Sequence, residues 1–269
     1  MNGLLLYTPE DASRSRWFVA HLTECARALG LELTLALVTG PDTPLPDERA
    51  ELVVNRSRFA AISRRFEQAG VRCFNRAAVT QLANDKWQTD RLCRRLGLPV
   101  MDTWLCRAGE MLPADAPFPC VVKSLAGHGG SEVFWADEPA EAARLAASLG
   151  DCLLQRPAAR LGLDIRTYVM GDTLLAAVQR TSDRDFRSNF SLGGQAKLIT
   201  PEPVLQEMAL AVQAALQADY IGVDFIRDGS RWVVNEIEDA VGARMLYSLT
   251  PLDAADLFAR HIVREMKEK

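Results

Sequence analysis

The sequence predicts a mixed α/β protein with an open α/β domain at residues 1–83 and two α+β regions at 84–155 and 156–269. In the first region, short apolar runs alternate with amphipathic stretches as far as residue 82, which is typical of a parallel sheet. Strand-rich segments without that alternation follow. Two hairpin signals, Gly171-Asp172 and Asp228-Gly229, then indicate antiparallel pairing toward the C-terminal end.

The elements of the first region follow from hydrophobic periodicity and from helix-stopping glycines. Apolar runs predict strands over 3–7, 31–39, 51–55 and 71–75. Amphipathic spacing predicts helices over 17–29 and 59–68, which end at Gly30 and Gly70. A loop rich in proline and aspartate covers 40–46. Together these elements predict a small parallel sheet with helices between its strands.

The second region begins with a helix that Asn84 or Asp85 can cap and that stops before Gly97 and Pro99. A second helix fits 139–149. Apolar runs predict strands over 100–106, 120–124, 133–136 and 153–155. These strands enclose a glycine-rich segment at 125–131, so the region is expected to be a small α+β unit with one glycine-rich loop.

The third region begins with two strands, over 165–170 and 173–180, that form a hairpin. A helix over 201–217 is expected next, with Thr200 as its N-cap and Pro201 at its first position. Strands over 220–226 and 232–238 form a second hairpin. A closing helix is expected to begin at Thr250-Pro251, so this region is also predicted to be α+β.

Charge, hydropathy and cysteine usage exclude several classes of protein. The 269 residues carry 31 Lys and Arg against 35 Asp and Glu, a net charge of −4, which disfavours a protein that mainly neutralises nucleic-acid phosphates. No apolar run reaches the roughly 18 residues of a membrane span. The six cysteines form no Cys-x-x-Cys pair and show no ligand-like spacing with the three histidines. We therefore expect a cytoplasmic protein with reduced thiols and with neither nucleic acid nor membrane as a partner.

Lysine is scarce in this chain. The five lysines are Lys86, Lys123, Lys197, Lys267 and Lys269, which leaves 26 of the 31 basic residues as arginine. Codon usage that favours arginine explains the bias itself. The three lysines that lie away from the C-terminal end nevertheless become candidates for a specific role.

Three carboxylates near the second hairpin form a candidate metal site. Residues two apart on a strand face the same side, so Glu236 and Glu238 project together. A three-residue turn at 228–230 with a bulge would place Asp224 on that side too, whereas a two-residue turn would place it on the other side. Three acids on one face favour Mg²⁺ or Mn²⁺. The alternative is a set of solvated acids on an exposed sheet face.

Several basic residues are candidates for binding an anion. Lys123 ends a strand just before the glycine-rich segment, whose backbone N–H groups can approach anionic oxygens. Lys86 lies in the first turn of a helix, where a cation is unfavourable unless an anion is near. Arg166, Arg180 and Arg187 suit phosphate or carboxylate. The alternatives are a flexible hairpin loop, a solvated lysine and ordinary surface arginines.

Taken in this order, the motifs resemble the ATP-grasp superfamily and, within it, the RimK-like carboxylate–amine ligases. The matching motifs span about residues 84–240: Asn84-Asp85-Lys86 with Gly97-Leu98-Pro99; Cys120-Val121-Val122-Lys123 with the glycine-rich segment; Leu154-Gln155-Arg156-Pro157; Gly162-Leu163-Asp164-Ile165-Arg166; Asp185-Phe186-Arg187-Ser188-Asn189 with Gly193-Gly194; Gly222-Val223-Asp224; and Asn235-Glu236-Ile237-Glu238.

The resemblance implies an ATP-grasp fold in which ATP lies between two α+β subdomains, 84–155 and 156–269. A small pre-ATP-grasp domain at 1–83 precedes them. It implies that the nucleotide is bound by these residues: Lys86, Lys123, Gly127, Gly129, Gly130, Gln155, Arg156, Pro157, Asp164, Arg187 and Asn189. It assigns Mg²⁺ or Mn²⁺ to Asp224, Glu236 and Glu238. Lys86, Lys123 and Arg187 would offset the charge that moves during the reaction.

Two departures from the family pattern concern the substrate. Glu238 stands where the family usually has Asn, and residues 239–245 replace a stretch that often contains Pro and Gly. Arg244 in that stretch is a candidate for holding the substrate carboxylate. Asn55 and Arg56 of the first domain are expected to line the cleft.

The resemblance implies a ligase that activates a carboxylate as an acyl phosphate and joins it to an amine, with release of ADP and phosphate. The substrates are expected to be amino acids or other small molecules or peptides, and such ligases are often dimers or tetramers. Two alternatives remain open. One is a nucleotide-binding module without ligase activity, and the other is a peptide ligase closer to D-alanine–D-alanine ligase or glutathione synthetase.

Overall fold

Three β-sheets organise the computed structural model, which describes residues 1–44, 49–127, 132–182 and 195–268. Each sheet lies within one of the segments 1–83, 84–155 and 156–269. Among the described residues, no helix combines the length and the hydropathy that crossing a bilayer requires.

The first sheet is parallel, with strand order β2–β1–β3–β4. Its strands are β1 (Asn2–Tyr7), β2 (Glu32–Leu37), β3 (Leu52–Asn55) and β4 (Arg72–Phe74). The helices of this segment are α1 (Pro9–Arg14), α2 (Arg16–Ala28), α3 (Ala60–Gln68) and α4 (Ala77–Ala83). The order reverses between β1 and β3, so the carboxyl ends of these two strands form a switch point, where α/β sheets commonly bind ligands.

The second sheet is antiparallel, with order β5–β8–β6–β7. Its strands are β5 (Thr103–Cys106), β6 (Cys120–Ser124), β7 (Val133–Ala136) and β8 (Cys152–Gln155). The helices of this segment are α5 (Lys86–Arg95) and α6 (Pro139–Leu149). Asp85 is the N-cap of α5 and accepts hydrogen bonds from the N–H groups of Trp87 and Gln88 at 2.9 and 3.0 Å.

The third sheet is also antiparallel, with order β11–β10–β9–β12–β13. Its strands are β9 (Leu163–Met170), β10 (Thr173–Thr181), β11 (Gln195–Ile199), β12 (Tyr220–Asp228) and β13 (Arg231–Glu238). The helices of this segment are α7 (Pro203–Leu216), α8 (Arg244–Leu249) and α9 (Ala254–Lys267). The apolar residues of one sheet face pack against α7. The alternate residues on the opposite face include the charged side chains described below.

Buried side chains join the first sheet to the third region. One hydrophobic core contains residues of β1 and α2 together with residues of β9, α8 and α9. The guanidinium of Arg72 donates to both carboxylate oxygens of Asp219 at 2.7 and 3.0 Å. The Asn75 carboxamide accepts from the Asp219 and Tyr220 N–H groups at 2.6 and 3.0 Å. These contacts orient the N-terminal sheet against the charged face of the third sheet.

Two predicted helix starts were wrong. The helix expected from Pro201 begins at Pro203 with Glu202 as its N-cap, because a residue that precedes proline is disfavoured in helical conformation. The closing helix begins at Ala254 rather than at Thr250-Pro251. Asp253 is its N-cap and accepts from two backbone N–H groups at 3.1 Å each, whereas Thr250 ends the short helix α8.

Some elements were absent from the sequence-based prediction: α1, α4, α8 and β11. For α1 a signal was present, since Thr8 is an N-cap that accepts from the Asp11 N–H at 3.1 Å and Pro9 follows at the first helical position. Strand β11 is exposed along most of its length at the edge of the third sheet, so its side chains carry little of the alternation that marks a half-buried strand.

Candidate active site

A cleft between the second and third sheets is the first candidate for a nucleotide site, and we call it the inter-sheet cleft. Successive side chains of β6 face opposite sides of the sheet. Cys120 and Val122 therefore pack into a hydrophobic core, whereas Val121 and Lys123 face the cleft. The polar side chains that line this cleft include those of Lys86, Lys123, Gln155, Asp164, Asn235 and Glu236.

Lys123 reaches across the inter-sheet cleft from one sheet to the other. Its Nζ donates to Gln155 Oε1 at 2.7 Å within its own sheet and to Asn235 Oδ1 at 3.0 Å on β13. Burial lowers the pKa of Lys123 to about 8, and the neighbouring charge of Lys86 acts in the same direction, whereas Glu236 opposes them. Lys123 is therefore a buried ammonium whose two acceptors are neutral amide oxygens, so its charge is a candidate for binding an anion in the cleft.

Lys86 occupies the junction between α5, the glycine-rich segment and the acids. Its N–H donates to the Leu125 carbonyl at 3.1 Å and its Nζ to the Gly127 carbonyl, while the same Nζ lies 3.1 Å from Glu236 Oε1. A side chain at position 127 would meet Glu132, because a Cβ there would lie 2.6 Å from Glu132 Oε2. The interpretation of Lys86 as a freely solvated lysine is wrong, since only 10% of its side chain is exposed.

If Lys123 contacts the phosphates of ATP, the affinity for ATP should weaken as pH rises through the pKa of Lys123. The Lys123 ammonium loses its proton above about pH 8, and phosphate groups bind the protonated, charged lysine more tightly than the neutral one. The Kd of a non-hydrolysable ATP analogue should therefore rise roughly tenfold from pH 7 to pH 9. Isothermal titration calorimetry across that range measures the change. Lys123→Met should bind weakly with little pH dependence, and an equal pH dependence in both proteins would contradict the assignment.

The three candidate metal ligands lie on one face of the third sheet. Asp224 pairs with Glu236 in the strand register, and one carboxylate oxygen of each of Asp224, Glu236 and Glu238 lies within 4.8 Å of the others. The turn between β12 and β13 has two residues, because Asp228 pairs with Arg231, so the expectation that a two-residue turn would place Asp224 on the other side was wrong. A bulge opposite Asp224 and Phe225 shifts the register and returns Asp224 to the face of the glutamates.

Two buried arginines, Arg166 on β9 and Arg180 on β10, stabilise these acids from the same sheet. Arg166 donates to Asp224 Oδ1 and Oδ2 at 2.7 and 2.6 Å and to Glu238 Oε1 at 2.5 Å. Arg180 donates to Asp224 Oδ2 at 2.7 Å and binds Asp164 through both carboxylate oxygens at 2.5 and 2.7 Å. The interpretation as solvated acids is wrong for Asp224, which is 3% exposed.

The pKa values of Asp224 and Glu238 are shifted in opposite directions. Burial alone would raise the pKa of Asp224, but the charges and hydrogen bonds of Arg166 and Arg180 outweigh it and hold that pKa below its usual value. Burial raises the pKa of Glu238, against the charge of Arg166 and together with the like charges of Asp224 and Glu236. Glu238 therefore gives up its proton less readily than Asp224 does.

The chemistry of this donor set fits a divalent metal. Mg²⁺ prefers carboxylate oxygens, and it commonly uses one or two of them together with phosphate oxygens of a substrate. Asp224, Glu236 and Glu238 supply such oxygens within 4.8 Å of one another, directly beside the inter-sheet cleft. The glutamate at position 238 keeps an oxygen donor there and adds one negative charge.

A second cleft, which we call the N-terminal cleft, lies between these acids and the first domain. Lys86, Gly127 and Glu236 line both clefts, so the two meet at the acids. Arg14 and Arg58 enter the N-terminal cleft from segments that follow β1 and β3, at the switch point of the first sheet, and Arg244 enters from α8.

The remaining predicted site residues divide into three groups. Arg156, Pro157 and Asp164 line the inter-sheet cleft, as does Gln155, whose side chain also accepts from Lys123. Arg244 lines the N-terminal cleft. Gly129, Gly130, Arg187 and Asn189 lie outside the described residues.

The first domain meets the site through residues other than those expected. Asn55 is 1% exposed and binds Ser63 and the Phe59 carbonyl within its own domain, so its placement on the cleft was wrong. Arg56 donates to the Val241 carbonyl at 2.8 Å. Arg14 and Arg58 reach the N-terminal cleft instead, and no local sequence signal distinguished them among 26 arginines.

Comparisons with known proteins agree with this geometry. A family model for the RimK-like ATP-grasp domain matches residues 83–262. A probable alpha-L-glutamate ligase from Pasteurella multocida (strain Pm70) is 27% identical over 214 residues, which cover 76% of this chain and 68% of that protein.

Two solved structures share the fold over nearly the whole chain. D-cycloserine synthetase DcsG superposes with a TM-score of 0.78 at 19% identity, covering 98% of this chain and 99% of that one. D-alanine–D-alanine ligase from Bacillus anthracis, in complex with ATP, superposes with a TM-score of 0.79 at 14% identity, covering 100% and 99%.

The fold and its relatives together define an ATP-grasp ligase, an enzyme that forms C–N bonds. Within that class, the chain belongs to the RimK-like ATP-grasp family.

Proposed function

We propose that this protein joins a carboxylate to an amine through an acyl phosphate, with an amino acid or a peptide among its substrates. A carboxylate oxygen of the acid attacks the γ-phosphorus of ATP, and ADP leaves. The amine nitrogen then attacks the acyl carbon, loses a proton, and displaces phosphate, which carries away one oxygen of the original carboxylate. The meeting of two clefts at Lys86, Gly127 and Glu236 carries this proposal, because it gives the nucleotide and the acid a shared point of contact.

The chain's own residues act by position and charge in this proposal. Lys123 and Lys86 bind phosphate oxygens and offset the charge that moves to the leaving ADP. Gln155 and Asn235 hold the Lys123 ammonium in the cleft. Asp224, Glu236 and Glu238 would hold Mg²⁺, which when bound neutralises phosphate charge. No protein nucleophile is required.

Cationic side chains in the N-terminal cleft support an acidic substrate. Arg14, Arg58 and Arg244 line that cleft beside the metal-site acids. Arg14 pairs with Glu10 and Arg58 with Asp11, both at 2.7 Å, so Arg244 is the arginine best placed to bind a substrate carboxylate through paired hydrogen bonds. The relative from Pasteurella multocida is named a probable alpha-L-glutamate ligase. We therefore propose glutamate as the first substrate to test, both as acid and as amine.

Oxygen transfer provides the direct test of this reaction. The acid is supplied with ¹⁸O in its carboxylate, together with MgATP and an amine, and the released phosphate is analysed by mass spectrometry. We expect one ¹⁸O atom in each phosphate and ADP release that depends on both substrates. Phosphate without ¹⁸O would exclude the acyl phosphate. ATP binding without turnover, across a broad panel of amino acids and peptides, would favour a nucleotide-binding module without ligase activity.

Replacing Lys123 by arginine should impair the reaction although the charge is kept. The Lys123 ammonium fits between two oxygen acceptors at 2.7 and 3.0 Å, and a planar guanidinium is too broad for the same position. We expect Lys123→Arg to lower kcat/KM for ATP at least about fivefold, or about 1 kcal/mol. Steady-state ADP release measures it.

The exposed lysine of β11 provides the matched control for this change. Lys197→Arg makes the same substitution at the edge of the third sheet and should leave the rate unchanged. Equal rates for wild type and Lys123→Arg would show that the shape of the Lys123 ammonium does not matter.

A further inference from the structure

Three unlike donor side chains meet at the junction of α2 and α9, outside both clefts. His21 and Cys25 lie one helical turn apart on α2, and Asp253 is the N-cap of α9. His21 Nε2 lies 2.7 Å from Asp253 Oδ2 and 3.8 Å from Cys25 Sγ. One donor atom of each residue lies within 4.8 Å of the other two, so a nitrogen, a sulfur and an oxygen converge on one point.

The arrangement differs from that of a catalytic cysteine. In a nucleophile–base–acid relay, the carboxylate and the nucleophile contact opposite nitrogens of the imidazole ring. Here the same nitrogen, His21 Nε2, faces both Asp253 and Cys25. Proton relay through the ring from Cys25 to Asp253 is therefore excluded in this geometry, whereas three donors around a single ion are accommodated.

Neighbouring groups hold two of the three donors in place. Asp253 Oδ1 accepts from two backbone N–H groups at 3.1 Å each and from the Tyr247 hydroxyl at 2.9 Å, which leaves Oδ2 on the side of His21. The Trp17 ring stacks on His21 with centroids 4.9 Å apart. Metal sites commonly use hydrogen-bond partners like those of Asp253 to orient their ligands.

Ions can reach these donors from solvent. The side chains of His21 and Asp253 are 28% and 41% exposed. Cys25 is partly exposed, whereas the other five cysteines are buried. The cluster thus contains the one cysteine of the chain that the solvent reaches readily.

We propose that His21, Cys25 and Asp253 form a zinc site that ties α2 to the start of α9, with water as the fourth ligand. Zn²⁺ accepts nitrogen, sulfur and oxygen donors together, whereas Mg²⁺ selects oxygen. Tetrahedral Zn²⁺ separates such donor atoms by about 3.3–3.7 Å, which small side-chain movements reach from the observed 2.7 and 3.8 Å. A thiolate and a carboxylate balance the charge of the ion.

The sequence concealed this site for a clear reason. No ligand-like spacing between a cysteine and a histidine was expected from the sequence, yet a spacing of four residues brings His21 and Cys25 to one face of α2. The third donor lies 232 residues after His21 and reaches it only through the packing of α9 against α2. Its role as a helix cap was also missed, because the closing helix was expected to begin earlier.

Cobalt provides the test, because Co²⁺ takes the same ligands as Zn²⁺ and is coloured. The metal-free protein is titrated with Co²⁺ and its near-ultraviolet and visible spectra are recorded. We expect one equivalent to bind with a thiolate-to-cobalt charge-transfer band, and Zn²⁺ to abolish that band by displacement. The site of Asp224, Glu236 and Glu238 has only oxygen donors, so it cannot produce this band.

Three variants complete the design. Cys25→Ser should lose the charge-transfer band, and His21→Gln should weaken Co²⁺ binding at least about tenfold. Glu24→Gln removes an exposed acid next to Cys25 and should retain the band. Absence of the band in wild type, or its persistence in Cys25→Ser, would overturn the proposal. The readout needs neither ATP nor turnover, so its outcome is independent of the proposed ligase reaction.

Discussion

Glu236→Gln is expected to lower ADP release at least about tenfold, which corresponds to about 1.4 kcal/mol of transition-state stabilisation. Glu236 is the acid that lines both clefts and carries the ion pair with Lys86 at 3.1 Å. The amide keeps the size of the side chain but removes the charge that a divalent metal requires. The measurement is the initial rate of ADP release over a range of Mg²⁺ concentrations.

The fold should tolerate this change. The Glu236 and Lys86 side chains are only 23% and 10% exposed, but Lys86 retains the Gly127 carbonyl, so we expect the free energy of unfolding to fall by about 1–3 kcal/mol, which leaves the protein folded. Glu207→Gln makes the same substitution on the exposed side of α7 and serves as the control. Near-normal rates at saturating Mg²⁺ would remove Glu236 from the metal site.

Local patterns in the sequence were sufficient for the strands that carry the main site residues. Strand β6 was predicted with its observed bounds, and its alternation places Lys123 in the cleft. The acids illustrate the limit of such patterns. The turn residues left two placements of Asp224 open, beside the glutamates with a three-residue turn or on the other side with a two-residue turn. The structure has a two-residue turn and a bulge that places Asp224 beside the glutamates. A bulge depends on packing along the pair of strands, which the turn residues alone do not specify.

Contacts between distant strands were beyond local patterns. Arg166 and Arg180 were predicted to be anion-binding residues, but the register of β9 with β12 places Arg166 opposite Asp224. Their partners are therefore carboxylates of the protein itself. Arg14 and Arg58 meet the cleft because the first sheet has the order β2–β1–β3–β4, and strand order is a property of the whole chain.

The scarcity of lysine gains physical meaning from these positions. Lys86 and Lys123 occupy the cleft, where a compact ammonium reaches acceptors that a guanidinium would crowd. Lys197 lies on the exposed edge strand β11, where a charged side chain discourages pairing with another sheet. Each of the three lysines thus occupies a position that suits a compact ammonium group on a flexible side chain.

Asp224→Asn should combine a large loss of stability with a large loss of activity. Asp224 Oδ1 accepts from Arg166, and Oδ2 accepts from both Arg166 and Arg180 at 2.6 and 2.7 Å. In either orientation, an amide directs its NH₂ group at a guanidinium N–H, so at least one buried charged hydrogen bond is replaced by a repulsive contact. We expect the free energy of unfolding to fall by about 3 kcal/mol and ADP release to fall at least about tenfold.

Nucleotide-induced stabilisation separates the two roles of Asp224. A ligand at 100 times its Kd stabilises a protein by about 2.7 kcal/mol, so MgATP should raise the free energy of unfolding of wild type by that amount. If Asp224 binds the metal, the increment should shrink in Asp224→Asn at the same MgATP concentration. Asp115→Asn, in an exposed loop, should keep both the stability and the increment. A destabilised Asp224→Asn protein with a full increment would assign Asp224 to the sheet alone, since its charge would then support the arginines without contributing to MgATP binding.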